Sequence, residues 1–436
     1  MRSRTIIALL LAAMLTSITA IPHSLAAHMQ QPATTVPLLP GATAPIKVAS
    51  GNQTNASLAC NIASYTNDDF EGTSSIEYLD FATNTTNVVP GNGLDRLSDT
   101  DGRRIVFTQL DANGDQLRIY DIASQSTTVI PGNGNSDPAL GGNLVAFLHG
   151  RFSSPDAWEI NVYDQSTGVT TQLTSDSMAD SRPAISPDGS VIVWQKCQPN
   201  DTGCDIYSAT QTSPGAFTTR LLTGAGEDRW PQTNGQFVVY ISDKNGDNDI
   251  YFQRVGGSTE MRLALPGDQR DARISGNLIV FESQVADSSY DIFVYDLKTA
   301  QLYQVTNTPG VGETLSEIVT GCNGVNRIAY SIPGTFGDFD VWGFTFQLND
   351  SVPDQISDLM ALILSFNLHD GTENSLIAKL QDALTALNAN DTATACISLT
   401  SFINASQAQS GKKLTGDQVK QLVDSANLIK AGLGCQ

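Results

Sequence analysis

Residues 186–223 contain Ser186-Pro187-Asp188-Gly189, then Val191-Ile192-Val193-Trp194, then Asp205-Ile206-Tyr207, then Leu221-Leu222-Thr223. A tight turn leads into an apolar, β-branched run closed by an aromatic; a polar hairpin and two further short strands follow. Working outward, the run that ends in an aromatic recurs seven times: Ile62 to Tyr65, Ile105 to Phe107, Leu144 to Phe147, Val191 to Trp194, Phe237 to Tyr240, Leu278 to Phe281, and Ile328 to Tyr330. The aromatics lie 42, 40, 47, 46, 41 and 49 residues apart. A period of about 44 residues marks propeller blades or a solenoid.

Each run is followed by a second strand, as in Leu117 to Tyr120 or Asp291 to Tyr295, and a third, as in Thr127 to Ile130 or Tyr303 to Val305. Short segments such as Arg182-Pro183-Ala184-Ile185 precede the next repeat. Four short antiparallel strands per repeat predict a seven-bladed β-propeller over residues 34–346, with six blades as the alternative count. The seventh repeat lacks a fourth strand. Thr35-Val36-Pro37-Leu38-Leu39-Pro40-Gly41 resembles the fourth strands Asn87 to Gly91 and Thr128 to Gly132, so the N-terminal segment is expected to complete the last blade. That closure removes an exposed sheet edge.

The order of these blade elements resembles the TolB-like propeller family. Asp247 and Asp249-Ile250-Tyr251 repeat the middle of the pattern. The resemblance implies the fold and says little about activity, and this chain has seven repeats where TolB itself has six.

Residues 347–353 read as a linker, and 354–436 change character. Ile356, Leu359, Ile363 and Phe366 begin a series of helical spacings that continues to Val419, Leu422, Ala426 and Ile429, predicting four amphipathic helices. Thr415 with Gln418 is a capping-box pattern. The segment around Phe402-Ile403, Ser410 to Thr415, Gln418 and Leu422 resembles the helical FIMAH module found at the ends of secreted bacterial proteins, a likeness that implies no known chemistry.

Residues 1–26 have the order of a secretory signal: Arg2 and Arg4, an apolar run from Ile6 to Ile21, and Ser24-Leu25-Ala26 before the expected cut. An extracytoplasmic protein, periplasmic or at the cell surface, with no membrane insertion after cleavage, is the expectation. Six cysteines then favour disulfides. Cys60 and Cys322 hold equivalent places in the first and seventh repeats, which would be neighbours in a ring. Cys197 and Cys204 flank one hairpin, leaving Cys396 with Cys435.

The 436 residues hold 45 Asp+Glu against 24 Lys+Arg, a net charge of −21. That balance argues against a phosphate-backbone binder, so no nucleic-acid partner is expected. Only 4 His are present, and no G-x-S-x-G elbow, H-E-x-x-H helix or P-loop occurs. His149 reads as a strand end and His369 as a helix end. Interblade crossings carry Asp95, Arg96, Asp137, Asp180, Arg182, Asp228, Arg229, Trp230, Arg270, Asp271, Arg273 and Glu313, expected to form with acidic hairpins one predominantly acidic, cation-favouring face. Two hairpins, Asp111, Asn113 and Asp115, and Asp243, Asn245 and Asp247, place oxygens as the first half of a calcium loop does, although a tight turn explains both without metal. The resulting expectation is an exported, non-enzymatic scaffold without cofactor that binds protein or envelope components. The alternatives are a carbohydrate-active or other hydrolytic propeller enzyme and a calcium-dependent adhesin. No carboxylate pair is singled out as catalytic from the sequence.

Overall fold

A computed structural model describes residues 36–435 apart from 70, 113, 151–157, 225, 286–288, 323, 335–336, 349–351, 367 and 369. The expected signal segment, Asn113 and His369 lie outside the described residues. The chain divides into two compact units: 36–39, 44–319 and 328–343 in one, 40–43, 320–327 and 344–435 in the other.

Seven antiparallel sheets of four strands each make a seven-bladed propeller. Blade one runs Asn52–Leu58, Ile62–Asp68, Ser74–Asp80 and Thr85–Val88, from the innermost strand outward. The second strands carry the aromatic runs, and Tyr65, Phe107, Phe147, Trp194, Tyr240 and Phe281 are all buried. Being covered on both faces, these strands read as continuous apolar runs, whereas outer strands such as Ser126–Val129 are Thr-rich and exposed.

A second regularity explains part of the acidity. Third strands end in Asp80, Asp121, Asp164 and Asp296, whose carboxylates accept the backbone N–H of Ala82, Ser124, Ser166 and Lys298. An Asx turn of this kind closes the loop to the outer strand. The Asp121 carboxyl lies below its usual range because the Ser124 backbone and hydroxyl both donate to it.

The seam closes as expected in topology, by a different segment. Gly41–Lys47 is the outer strand of blade seven, beside Phe339–Phe346, Val325–Pro333 and Thr314–Cys322. Pro37 and Pro40 cannot donate to a ladder, which moves the strand past Pro40. Upstream, Leu39 N–H donates to the Gln304 carbonyl (2.7 Å) and Gln304 N–H to the Pro37 carbonyl (2.9 Å), so 37–39 lie along blade six instead.

Four helices follow: Val352–Ser365, Asp370–Asn388, Thr392–Ala408 and Gly416–Gly432. Their apolar stripes meet in a core including Ile356, Leu380, Leu399, Phe402, Leu422 and Ala426. Asp391 caps the third helix by accepting from Thr394 N–H, and Thr415 and Gln418 form the expected reciprocal cap of the fourth. No helix among the described residues is long and apolar enough to cross a membrane.

No cysteine is free among the described residues. Cys197–Cys204 and Cys396–Cys435 are bonded as expected, and Cys60 and Cys322 are each in a disulfide. Cys396–Cys435 spans 39 residues and Cys197–Cys204 only 7, so by loop-closure entropy the helical bond contributes more, about 4 against about 2.5 kcal/mol. Cys396→Ser with Cys435→Ser is expected to lower the urea midpoint of the helical unit. Cys197→Ser with Cys204→Ser should have the smaller effect on the propeller, each followed by circular dichroism.

Candidate active site in the axial channel

The inner strands of all seven blades surround a cavity of about 900 Å³. Six of them carry a one-residue bulge near the middle. The extra residue adopts positive φ in each: Asn55 (52°), Leu97 (52°), Asp137 (53°), Arg182 (56°), Trp230 (53°) and Asp271 (49°). Left-handed backbone is tolerated by Asn and Asp but is a real departure for Leu, Arg and Trp. All six residues line the cavity. Strain repeated at one level of the barrel re-aims one side chain per blade into the channel.

Of the twelve crossing residues singled out from sequence, Asp137, Arg182, Trp230, Asp271 and Arg273 line this cavity. The other seven lie outside its lining. Gln109 Nε2 donates to Asp95 Oδ1 (2.5 Å), and Arg96 grips both oxygens of Asp115 (2.9 and 2.8 Å). Trp194 Nε1 donates to Asp180 Oδ1 (2.8 Å), while Asp228 lies 3.7 Å from Lys244. Arg229 pairs with Asp201 and Glu227 (3.0 and 3.1 Å). Arg270 pairs with Glu282 at 2.5 Å and lies over the Tyr290 ring, and Glu313 accepts from Thr306 Oγ1 (3.2 Å).

In the two hairpins considered for calcium, the Asp115 and Asp243 carboxylates have protein partners. Asp115 is held by Arg96, and Asp111 pairs with Gly114 across a tight turn. Asp243 accepts from Glu227 N–H through its side chain and from Gly246 N–H through its carbonyl, and Asn245 donates to the Tyr251 hydroxyl. The one cluster with metal-ligand spacing among the described residues is Cys197, Asp201 and Cys204, and both its sulfurs are consumed by the disulfide.

Three acids on the channel wall, Asp137 and two more, differ in what holds them. Asp99 is tied down, accepting from Ser57 Oγ (2.7 Å), its neighbour Thr100 N–H (2.8 Å) and Leu140 N–H (2.6 Å), and thereby stitching blades one, two and three. Asp137 accepts no hydrogen bond; enclosure raises its carboxyl, and the nearby Arg182 and Arg273 pull it back down. Glu317 is reachable from the cavity yet surrounded by protein, and desolvation pushes it up to about 7 against the pull of Arg273. Arg273 is fixed by donating to the carbonyls of Ser316 (3.0 Å) and Ala272 (3.2 Å), and its charge acts on both Asp137 and Glu317.

Glu317 and Asp99 were not among the sequence candidates. A signal for the wall existed: Asn55, Leu97, Asp137, Trp230 and Asp271 each stand ten residues before the second-strand aromatic of their blade. Blade seven breaks the count with its longer strands, which hides Glu317.

Asp180, Glu313 and Glu317 are each raised to about 7, in every case chiefly by burial. Their folded values exceed the unfolded ones near 4, so folding takes up protons. The associated stability is full below about pH 4 and is lost as pH rises through about 7. The thermal midpoint is expected to fall by about 5 °C or more between pH 5.5 and 8.5, read by scanning calorimetry.

No protein-family model matches the sequence, and no curated protein matches it. Solved structures do resemble the fold. Acylaminoacyl peptidase from Pyrococcus horikoshii aligns at 11% identity and a TM-score of 0.53, over 69% of this chain and 52% of that chain. The β-propeller domain of the Trilobed protease from Pyrococcus furiosus aligns at 10% and 0.52, over 69% and 99%. An oligogalacturonate lyase in complex with manganese aligns at 13% and 0.51, over 71% and 96%. TolB from Acinetobacter baumannii also aligns, at 16% and 0.38, over 63% and 77%, too low a score to argue from.

This chain spans about half the length of the peptidase it matches. Identities this low carry the fold alone, and what they define is the class: a seven-bladed β-propeller of four-stranded antiparallel blades. They also correct the expectation of a non-enzymatic scaffold. Propellers aligned with this one belong to enzymes, including a lyase matched over nearly its whole length.

Proposed function

We propose that this protein is a carbohydrate-active hydrolase whose chemistry takes place in the axial channel. The observation that carries this reading is the Glu317 carboxyl, raised to about 7 on the channel wall, with Asp137 under the same Arg273. A carboxyl protonated near neutrality can serve as a general acid, and a second carboxyl beside two guanidinium groups is its proposed complement. Glycoside hydrolysis needs no more than this pair. Peptide hydrolysis by a Ser–His or Cys–His pair has no counterpart among the described residues: His149 Nδ1 is engaged with Asn135 Oδ1, away from the cavity, and no cysteine is free.

In the proposed reaction Glu317 gives its proton to the departing glycosidic oxygen. Asp137 faces the positive charge that develops on the sugar ring and takes a proton from the incoming water. Arg182 and Arg273 both favour the ionised form of Asp137 against its enclosure, Arg273 pulls on Glu317 as well, and Asp99 holds the adjoining walls in place. Turnover of a glycan panel by the full chain, and its loss in Glu317→Gln, is the test. No turnover of any glycan would refute the reading.

The finer expectations stand beside it as proposals: export directed by residues 1–26, which the fully bonded cysteines support, and a FIMAH-type identity for the helical unit, supported by its four helices and the Thr415/Gln418 cap.

A further inference from the structure

Arg182 is unlike the other cations of the propeller core. It is exposed within the cavity and makes no hydrogen bond or ion pair, although Asp137 lies near enough to feel its charge. Arg96, Arg229, Arg262 and Arg270 all have carboxylate partners within 3.1 Å. In a chain of net charge −21, a guanidinium without a hydrogen-bond partner, carried to the channel wall beside Asp137 by a positive-φ bulge, is a strained arrangement. On the adjacent blade Trp230 takes the equivalent bulge, its backbone N–H held by Gln195 Oε1 at 3.0 Å. A planar fork that matches a carboxylate thus stands one blade from an indole at the same level of the channel.

We infer that the saccharide bound in this channel carries a carboxylate, a uronic-acid unit whose carboxyl pairs with Arg182 and whose ring rests on Trp230. The inference rests on the carbohydrate-active reading for its location and adds the substrate class. Arg273 is assigned to the acid pair and not to this contact, because two of its donors are already spent on Ser316 and Ala272. An excess of acidic groups elsewhere would repel such a ligand, so binding depends on this one cation and is sensitive to salt.

The experiment is isothermal titration of full-length Glu317→Gln, which separates binding from turnover. The probes are cellotetraose and the same tetrasaccharide oxidised to the uronate at each C6. The uronate is expected to bind at least tenfold tighter. Adding Arg182→Gln should erase that preference, Arg182→Lys should restore part of it, and Trp230→Ala should weaken both sugars alike. Arg182 makes no bond the fold relies on, and circular dichroism of the variants checks that they are folded. Equal affinity for the two sugars, binding of neither, or a preference that survives Arg182→Gln overturns the inference. Turnover confined to neutral glycans would overturn it and leave the hydrolase reading standing. Uronate binding without turnover by the unsubstituted chain would do the reverse.

Discussion

Glu317→Gln loses glycan turnover by a factor of 10² to 10⁴, the usual contribution of a positioned general acid, while its thermal midpoint at pH 8 equals or exceeds that of the unsubstituted chain. The two results belong together. Glutamine matches the neutral acid in shape and keeps a donor in place of the hydroxyl, but it has no proton to give. At pH 8 the native carboxyl is mostly ionised in surroundings that disfavour its charge, having been raised to about 7 by enclosure. Removing that charge relieves a cost, so a residue kept for activity is one the fold would be more stable without. A structural role gives the opposite pattern, a lower midpoint with activity reduced only through unfolding. The pH profile supplies a second reading. The alkaline limb of kcat should follow the Glu317 proton and fall above about 7, and the acid limb should follow Asp137. An alkaline limb unmoved by Arg273→Gln, which removes the one guanidinium acting on both groups, would count against the assignment.

Trp194→Ala costs the propeller about 5 kcal/mol. Trp194 is 1% exposed and heads the fully buried side chains. It packs between blades three and four with Leu144, Ala146, Ile160, Val162 and Ile185, and stacks on Tyr207 with centroids 5.9 Å apart. Deleting an aromatic from such a site costs about 3 to 5 kcal/mol in lost contacts and residual cavity. A further 1 to 3 kcal/mol follows from leaving Asp180, which is fully buried, without the indole N–H. Trp194→Phe separates the two contributions, keeping most of the packing and losing the hydrogen bond, and should cost about 2 kcal/mol. Urea unfolding followed at constant m-value checks both. A loss below about 2 kcal/mol for the alanine variant would mean that the interblade core repacks and that the recurring aromatic is not its keystone.

These aromatics are also what made the fold readable. A propeller blade buries its second strand on both faces, so an apolar run closed by Tyr, Phe or Trp must recur once per blade, and the seven positions from Tyr65 to Tyr330 mark seven blades. The four helices were legible for the same reason, since each has a stripe that must be buried. The channel wall was less so. Inner strands alternate between faces until a bulge shifts the register by one, and no composition signal marks a bulge occupied by Leu, Arg or Trp. Asp95, Asp180, Asp228 and Glu313 looked like a ligand face because they are acids at crossings. All four are buried, and Asp95, Asp180 and Glu313 accept hydrogen bonds from Gln109, Trp194 and Thr306. Asp137, Arg182, Trp230, Asp271 and Arg273 were found because they fall just beyond those acids in the same short segments. Glu317 was missed because its blade carries longer strands and disturbs the spacing. The seam shows the local limit: similarity among fourth strands pointed to residues 35–41, and two prolines moved the pairing a few residues on.

That seam sets an order of events. Gly41–Lys47 precedes every other strand of the propeller in the chain, and its neighbour Phe339–Phe346 lies roughly 300 residues later, a pairing of very long sequence separation. Six blades can fold on local contacts as they emerge. The seventh must wait for a strand that was synthesised first and has to be kept unengaged until then. Until the ring shuts, Phe339–Phe346 offers an open edge to any passing strand, and the channel has a missing wall. A chain stopped before blade seven lacks both Phe339–Phe346 and the inner strand Thr314–Cys322 that completes the channel wall. The acid pair makes this literal, with Asp137 on the third blade and Glu317 on the last to be made.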